Sequence, residues 1–474
     1  MSYKYDPASR DANEFINDGE ILESIEAGQE DAKDPEKVRA ILNKAETCVG
    51  LTHREAATLF DVTDPEIWSE IFTMAKKIKE RIYGKRIVMF APLYLSDFCV
   101  NECTYCGYCK KNPMPRRKLT QEQLREEVIV LEKMGHKRLA IEAGEDPENC
   151  PIEYILECMK TIYDIKFDNG SIRRVNVNIA ATTVEEYKML KAAGIGTYIL
   201  FQETYHKPTY KALHGTGPKS DYEYHTEAHS RAMEGGIDDV GIGVLYGLYD
   251  WKYDTVAMLM AAEHLEAAYG VGPHTISVPR IRMAAGVKSE KFPYLVSDDD
   301  FKKVVAVLRL AVPYTGMILS TREAGKYREE VISLGISQVS AGSCTGVGGY
   351  AFANKMEGSK PQFEVAEHRS PRAVLMELME DGYIPSYCTA CYRRGRTGDH
   401  FMEFAKSGQI HNYCLPNALM TLQEYALDYG DDEFKATADK VIAKGIEDIN
   451  SEDVRKAVKE NIEKIKGGER DLYF

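Results

Sequence analysis

Excess positive charge is missing from this chain: 60 Lys and Arg face 74 Asp and Glu, a formal net charge of -14. That balance does not offset repulsion from a phosphate backbone, which excludes a general nucleic-acid binder. Long apolar runs are missing as well. No stretch of about 18 apolar residues occurs, so no membrane-spanning helix is expected. The opening MSYKYDPASRDANEF has no apolar core and is read as no secretory signal. No internal repeat or low-complexity tract is visible. A regular cysteine pairing pattern is absent, and the 11 cysteines are odd in number. They are therefore expected as thiolates in a reducing cytoplasm rather than as disulfides.

The 44% hydrophobic content is that of a globular protein with a large core. At 474 residues roughly three domains fit, although an α/β barrel of about 250 residues counts as one. Residues 1 to 80 look helical, with apolar residues at three-and-four spacing in EKVRAILNKAE and in REAATLFDVTDPEIWSEIFTMAKKIKERIYG. From 86 the pattern changes to eight short β-rich runs: 86–94, 137–143, 173–179, 197–203, 239–247, 274–281, 316–321 and 337–342. Helical stretches such as TQEQLREEVIVLEKMG lie between them. This alternation predicts a (β/α)8 TIM barrel. The alternative, an open doubly wound sheet, is weakened because no G-x-G-x-x-G opens the first βα turn. After 350 no further strand is expected: a polar linker (350–371) leads to a helix, a cysteine-bearing loop and terminal helices. The expected division is 1–84 as a helical extension, 85–345 as the barrel and 346–474 as a C-terminal domain. The tail GGERDLYF ends in aromatics, which suggests docking.

Sulfur is concentrated in CVNECTYCGYC, directly after the first predicted strand and thus at the C-terminal mouth, where barrel enzymes hold their active sites. The spacing is Cys99-x3-Cys103-x2-Cys106, with Cys109 three further on. A bacterial ferredoxin run is C-x2-C-x2-C-x3-C-P, and here both the order of gaps and the final proline differ. A zinc site built from Cys103, Cys106, Cys388 and Cys391 stays open. The favoured reading has three thiolates holding three corners of a 4Fe-4S cube, with one iron left open and Cys109 spare.

This C-x3-C-x-Φ-C spacing, with Tyr105 before the third cysteine, resembles the signature of the radical S-adenosylmethionine (SAM) enzymes. The resemblance implies that SAM chelates the open iron and that one electron from the cluster releases a 5'-deoxyadenosyl radical. It implies that Tyr105 contacts the adenine, and that Gly144 and Glu145, in a GED turn after the second strand, hold the SAM amino group. Glu203 and Arg231 are expected at the ribose and the SAM carboxylate. Asn178 ends the third strand on the same face as Asn176. Arg322 (in STRE) and Ser340 (in SAGS) resemble the pair that grips the substrate carboxylate and amine in radical SAM aromatic amino-acid lyases. A structural salt bridge is the alternative for Arg322.

A second set, Cys388-x2-Cys391-x22-Cys414, lies near the C-terminus, and a zinc site completed by His400 or His411 stays open there. A C-terminal C-x2-C-x22-C behind such a barrel resembles the radical SAM tyrosine lyases of FeFe-hydrogenase maturation. The resemblance spans the chain through EAGEDP, NVNIAAT, FQETYH, GPHTISVPR, VSAGSCTGVGGY and ERDLYF. It implies cleavage of the Cα–Cβ bond of L-tyrosine to p-cresol and dehydroglycine. Dehydroglycine then becomes carbon monoxide and cyanide at an auxiliary 4Fe-4S cluster, which builds an Fe(CO)2(CN) synthon for the hydrogenase H-cluster. That cluster carries an additional labile iron with a non-protein cysteine and a histidine ligand. Implied partners are L-tyrosine, free L-cysteine and iron, reduced ferredoxin or flavodoxin, and other hydrogenase maturases. His274, opening the sixth strand, is the expected histidine, because a strand N-terminus lies at the barrel floor. His264 is expected to face outward. Arg393, Arg394 and Arg396 are expected to make the second site electropositive.

Three other functions stay open. The 2-iminoacetate synthase of thiamine biosynthesis resembles this chain in barrel and substrate but lacks the Cys388/Cys391/Cys414 set. An iron–sulfur carrier would not need eight barrel strands, and a zinc-stabilised binding module would need zinc at both sites.

Overall fold

The structure, a computed structural model, describes residues 3–287, 291–353, 360–406 and 410–474. Eight parallel strands close into a barrel: β1 (Arg86–Ser96), β2 (Arg138–Ala143), β3 (Arg174–Asn178), β4 (Tyr198–Ile199), β5 (Val240–Gly243), β6 (Thr275–Ser277), β7 (Gly316–Leu319) and β8 (Gln338–Ser340). Each pairs with the next, and β8 returns to Val88–Phe90 of β1. The fold is thus the (β/α)8 TIM barrel expected from the sequence, with helical segments at both ends. Every expected strand is present, but most are shorter. Glu203, expected to end β4, lies beyond it and makes only an isolated bridge with Val244.

The reason for near-continuous apolar strands is visible in β1. Val88, Phe90, Pro92 and Tyr94 line the barrel interior, while Ile87, Met89, Ala91 and Leu93 are fully buried on the other face. A strand covered on both faces has no polar alternation to display. Crossover helices start at side-chain caps: the Thr120 and Thr183 hydroxyls accept from the Gln123 and Glu186 amides.

A ninth strand corrects the expectation that strands end before 350. β9 (Ile384–Ser386) pairs in parallel with Arg86–Val88 of β1. Val88 bonds to β8 on its other edge, so β9 occupies the β2 edge of β1, at the barrel floor. Its sequence, IPS, is too short to show a period of two. The linker 350–371 is also more than a linker. Residues 354–359 lie outside the described set, but Gln362 and Phe363 return to the mouth, where the Gln362 amide donates to the Thr345 carbonyl (2.8 Å) and its own carbonyl accepts from Gly107 (2.9 Å).

The N-terminal helices pack on the outer helices of the barrel. His53 is held between Glu20 (2.9 Å) and Glu263 (2.7 Å), which ties the extension to the helix Trp251–Tyr269. His264 does not face outward. Its ring stacks on Phe15 at 3.9 Å, and Nδ1 donates to the Pro7 carbonyl (2.8 Å), because the extension covers that face of the helix. The C-terminal tail docks as expected: Phe474 N–H donates to Asn417 (2.9 Å), and Arg470 pairs with Asp428 (2.6 Å). Among the described residues no helix is long and apolar enough to cross a membrane.

Candidate active site at the mouth and thiol site at the floor

The loop after β1 carries Cys99, Cys103 and Cys106 into one cavity of about 140 Å³. Backbone bonds pin it from three sides: Val100 N–H to Glu145 (2.8 Å), Thr104 N–H to Leu213 (3.0 Å) and Gly107 N–H to Gln362 (2.9 Å). Arg116 clamps it from beneath through the Tyr108 (2.8 Å) and Cys109 (2.6 Å) carbonyls. Cys109 is buried away from the cavity and contributes this carbonyl instead. Burial disfavours the thiolates, pushing the Cys106 thiol up to about 12 and that of Cys103 higher still, with Lys219 opposing. A metal must therefore displace their protons, and a cluster is the species that stabilises three such sulfurs together.

The wall opposite the sulfurs is polar. Gly144 sits so close to the loop that a Cβ would lie 2.3 Å from the Phe98 carbonyl, so only glycine lets the GED turn approach. Glu145 is buried, which raises its carboxyl pKa, and it accepts from Asn101 Nδ2 at 2.6 Å. Asn101 Oδ1 in turn accepts from the Lys219 amide (3.0 Å), while Gly217 at φ +104° leaves room for it. Glu203 adopts φ +70°, a left-handed backbone that a non-glycine residue holds only when its surroundings dictate it. Its Oε1 accepts from Lys219 Nζ at 2.7 Å. Although burial opposes charge on Lys219, Glu203 and Cys103 keep its pKa well above the ordinary value.

Tyr105 forms another wall. Burial and the nearby Lys219 charge hold His214 down at about 3, so it is neutral. Its Nδ1 donates to the Tyr210 carbonyl (2.7 Å), which leaves Nε2 to accept from the Tyr105 hydroxyl (2.8 Å).

A second cavity of about 90 Å³ adjoins the first and shares Glu142, Asn178 and Arg322 with it. Ser340 lines this deeper cavity, where its Oγ accepts from the Thr321 amide (3.1 Å). The Arg322 guanidinium lies over the Phe363 ring at 3.4 Å, and burial lowers its pKa to about 10. It has no carboxylate partner among the described residues, so the salt-bridge alternative is not what the structure contains. Burial pushes the Glu142 carboxyl up to about 8, with Asn178 and Arg322 opposing.

One expected member is elsewhere. Arg231 does not line either cavity; its guanidinium donates to the Thr182 (3.0 Å) and Tyr224 carbonyls (2.6 Å) and stacks on the Tyr224 ring. Lys219 stands beside Glu203 instead. The sequence reading missed Asn101, Glu142, Lys219 and Phe363. Glu142 alone carried a usable signal, since it shares the inward parity of Ala140 on β2.

At the opposite end, β9 delivers Cys388 and Cys391 to a floor cavity of about 40 Å³ that His274, Arg86 and Arg138 also line. Cys414 reaches the same point from the helix His411–Tyr429: the Cys391 thiol donates to its sulfur, and the pair share one proton with Cys414 driven toward thiolate. Arg86 is held protonated against its burial by all three sulfurs. His274 is buried, which keeps it neutral, and its Nε2 lies 3.1 Å from the Tyr392 hydroxyl. A shared zinc site for Cys103, Cys106, Cys388 and Cys391 is not possible, because the two sets sit at opposite ends of β1, on the order of 25 Å apart along the strand. Among the described residues no three His, Cys, Asp or Glu side chains converge on a single-ion point. His400 is exposed, and the His411 side chain lies outside the described residues. Arg393 and Arg396 do not supply the expected positive field alone. The first pairs with Asp471 (2.6 Å) and the second bonds the Phe474 carbonyl, both holding the tail. The cations acting on the floor sulfurs are Arg86, Arg138 and Arg396, the last of them as expected.

Comparison with known proteins agrees with this arrangement. The Radical SAM superfamily profile matches residues 93–261, and the Biotin and Thiamin Synthesis associated domain profile matches residues 277–384. A crystal structure of HydG, described as a maturase of the [FeFe]-hydrogenase, is 61% identical and superposes with a TM-score of 0.93 over 97% of this chain and 100% of that one. The FeFe-hydrogenase maturase HydG from Carboxydothermus hydrogenoformans is 36% identical over 95% of this chain and 99% of its own, with a TM-score of 0.81. The 2-iminoacetate synthase of Salmonella typhimurium is 30% identical over 354 residues, 74% of this chain and 90% of that protein. A radical SAM barrel with a cysteine triplet at each end, matched along nearly its full length by two such maturases, belongs to the HydG family of radical SAM FeFe-hydrogenase maturases.

Proposed function

We infer that the protein is a radical SAM tyrosine lyase that converts L-tyrosine to p-cresol and dehydroglycine and turns the latter into carbon monoxide and cyanide for H-cluster assembly. The observation that carries this reading is the pair of thiol triplets at the two ends of one barrel, with a largely apolar cavity between them that carries Glu142, Asn178, Arg322 and Ser340. Bound at Cys99, Cys103 and Cys106, a 4Fe-4S cluster with SAM supplies a 5'-deoxyadenosyl radical. Asn101 and Glu145 orient the GED turn toward the SAM amino group, Tyr105 packs on the adenine, and the Glu203–Lys219 pair faces the ribose and carboxylate. Arg322 binds the substrate carboxylate, with Phe363 holding its guanidinium flat, and Ser340 receives the amine.

The bond accounting is closed. Loss of p-cresol from tyrosine leaves HN=CH–COO⁻, which divides into cyanide, carbon monoxide and one water with no oxidant consumed. The auxiliary 4Fe-4S cluster, with its labile iron, free L-cysteine and His274, belongs at Cys388, Cys391 and Cys414. Reduced ferredoxin or flavodoxin serves as electron donor, other maturases receive the product, and the reaction takes place in the cytoplasm. The segments 1–84, 85–345 and 346–474 are the three working units, with β9 joining the last to the barrel. Containment in the barrel suits two small products that bind metals tightly.

The test is anaerobic reconstitution with iron and sulfide, followed by assay of p-cresol, carbon monoxide and cyanide with SAM and tyrosine. No p-cresol defeats the lyase reading, and p-cresol without diatomic products returns the thiamine-type enzyme. The 2-iminoacetate synthase relative makes that second outcome a definite alternative.

Glu142 adds a pH dependence. Neutral below about 8, it does not repel the tyrosine carboxylate on Arg322; ionised above that, it does. The KM for tyrosine is expected to rise several-fold between pH 7.5 and about 9. Glu142→Gln should flatten that rise, and an unchanged KM–pH profile in the variant would show that Glu142 has no such role.

A further inference from the structure

Cys391 sits on a stretch with little means of holding itself. Its helix, Ala390–Arg393, is four residues long and has no side-chain cap, and a single turn is not stable alone. The turn behind it closes on Cys391 itself: the Arg394 and Arg396 amides donate to the Cys391 carbonyl (3.3 and 2.9 Å). Cys414 comes from a different element, the first turn of the helix His411–Tyr429. Residues 470–474 run between the two. Asp471 holds φ +64°, a left-handed backbone that Asp tolerates better than most side chains. In that conformation its carboxylate accepts from both Nη atoms of Arg393 (2.6 and 2.8 Å) and faces Arg173 Nε at 3.1 Å. Its amide donates to Glu424 at 2.6 Å. The Tyr473 ring lies 4.0 Å from the Arg393 guanidinium and 5.1 Å from that of Arg394. The Phe474 carbonyl accepts from Arg396, whose guanidinium also covers the ring of Tyr413, the neighbour of Cys414, at 4.4 Å. Phe474 N–H donates to Asn417 (2.9 Å), three residues after Cys414.

The segment thus spans the gap between the two ligand-bearing elements, with Arg393, Arg394 and Arg396 on one side and Asn417 and Glu424 on the other. Three cations within four positions repel one another unless an acid and aromatic rings stand among them. Asp471 and Tyr473 supply both. A bidentate guanidinium–carboxylate pair fixes orientation as well as distance. The pair of Arg173 and Glu424, buried and 2.9 Å apart, anchors Asp471 from the barrel side. We propose that Asp471, Tyr473 and Phe474 are positioning residues of the floor site, a strap that sets the Cys391 sulfur against that of Cys414 in the spacing the auxiliary cluster requires. This rests on the reading above that a cluster is held there. None of the three lines the floor cavity, and they act on the thiols through Arg393 and Arg396. The strap has no contact with the mouth cavity either, so its loss separates the two ends of the barrel.

The test uses the anaerobically reconstituted full chain, the variants Asp471→Asn, Asp471→Glu and Arg393→Gln, and a chain lacking residues 471–474. SAM binds at the mouth, so the electron paramagnetic resonance signal of the reduced protein that SAM leaves unchanged reports the floor. Both signals, iron per chain, p-cresol and cyanide are measured on the same samples, with the thermal unfolding midpoint as the check on folding. Asp471→Asn and Arg393→Gln are each expected to lower the SAM-insensitive signal and the cyanide yield about tenfold, the usual cost of losing a group that orients a ligand. The SAM-sensitive signal and p-cresol stay at the parent level. The double variant is no worse than either single change, because both break one contact, and Asp471→Glu recovers part of the signal. The shortened chain loses at least as much as Asp471→Asn. A SAM-insensitive signal and cyanide yield at the parent level in both the shortened chain and Asp471→Asn overturn the strap. So does an equal loss of both signals with a lowered unfolding midpoint, since the segment would then support the whole fold. A parent chain without a SAM-insensitive signal overturns it as well, leaving no floor cluster to position. Absence of p-cresol from the parent defeats the lyase reading instead, while the two signals still decide the strap.

Discussion

Cys103→Ser stops p-cresol formation, by on the order of a thousandfold or more, and Cys99→Ser and Cys106→Ser do the same. All three sulfurs reach one cavity from one loop, and burial keeps the Cys103 and Cys106 thiols from ionising by themselves. Serine oxygen is a hard ligand with a far higher pKa, so it does not take the place of a thiolate on iron. Without three corners no cluster remains to supply the electron, and nothing else in the cavity replaces it. Cys109→Ser is the matched control: that side chain lies outside the cavity, and its contribution is a backbone carbonyl to Arg116, which serine retains. The assay is p-cresol per chain after reconstitution, together with iron content. Turnover by Cys103→Ser at the parent rate would remove the mouth cluster from the argument.

Cys391→Ser and Cys388→Ser give the opposite pattern. Cyanide and carbon monoxide vanish while p-cresol persists, because the floor is separated from the mouth by the length of the barrel. His274→Ala lowers the diatomic products by about 10- to 100-fold, the usual consequence of losing one member of a ligand set and its orienting bonds. His274 is fixed from both sides, its amide donating to the Val240 carbonyl (2.8 Å) and its ring against Phe401 at 5.0 Å, so alanine removes the imidazole without unseating β6. Gas-phase carbon monoxide and trapped cyanide are measured against p-cresol in the same vial. Equal loss of all three products in Cys391→Ser would mean that the floor supports the mouth reaction, against the two-site division.

Much of the mouth was legible because its residues are consecutive. A C-x3-C-x2-C loop after a strand keeps its meaning whatever surrounds it, and Glu145 and Asn178 follow from their places at strand ends. Arg231 was misplaced because proximity in sequence to β5 does not say which side of a short helix a guanidinium takes. Tyr224 and Thr182 decide that, and both come from other elements. Arg393 and Arg396 were read as site cations because they neighbour Cys391, and Arg396 does act on Cys391 and Cys414. The tail, 78 residues further on, occupies both. His264, on the helix before β6, was expected to face outward, but the N-terminal extension covers it.

By itself the sequence determined the chemistry class and the barrel, since both depend on local facts: ligand spacing within a loop, and apolar runs bounded by turns. Tertiary structure alone decided what faces those ligands. The IPS strand joins β1 only because the floor offers an unpaired edge, and through that pairing Cys388 and Cys391 meet His274. Lys219 meets Glu203, and Arg138 meets Arg174, across strands and loops whose separation in the chain carries no distance information. Charges act through space, so their partners become readable only when the chain has closed.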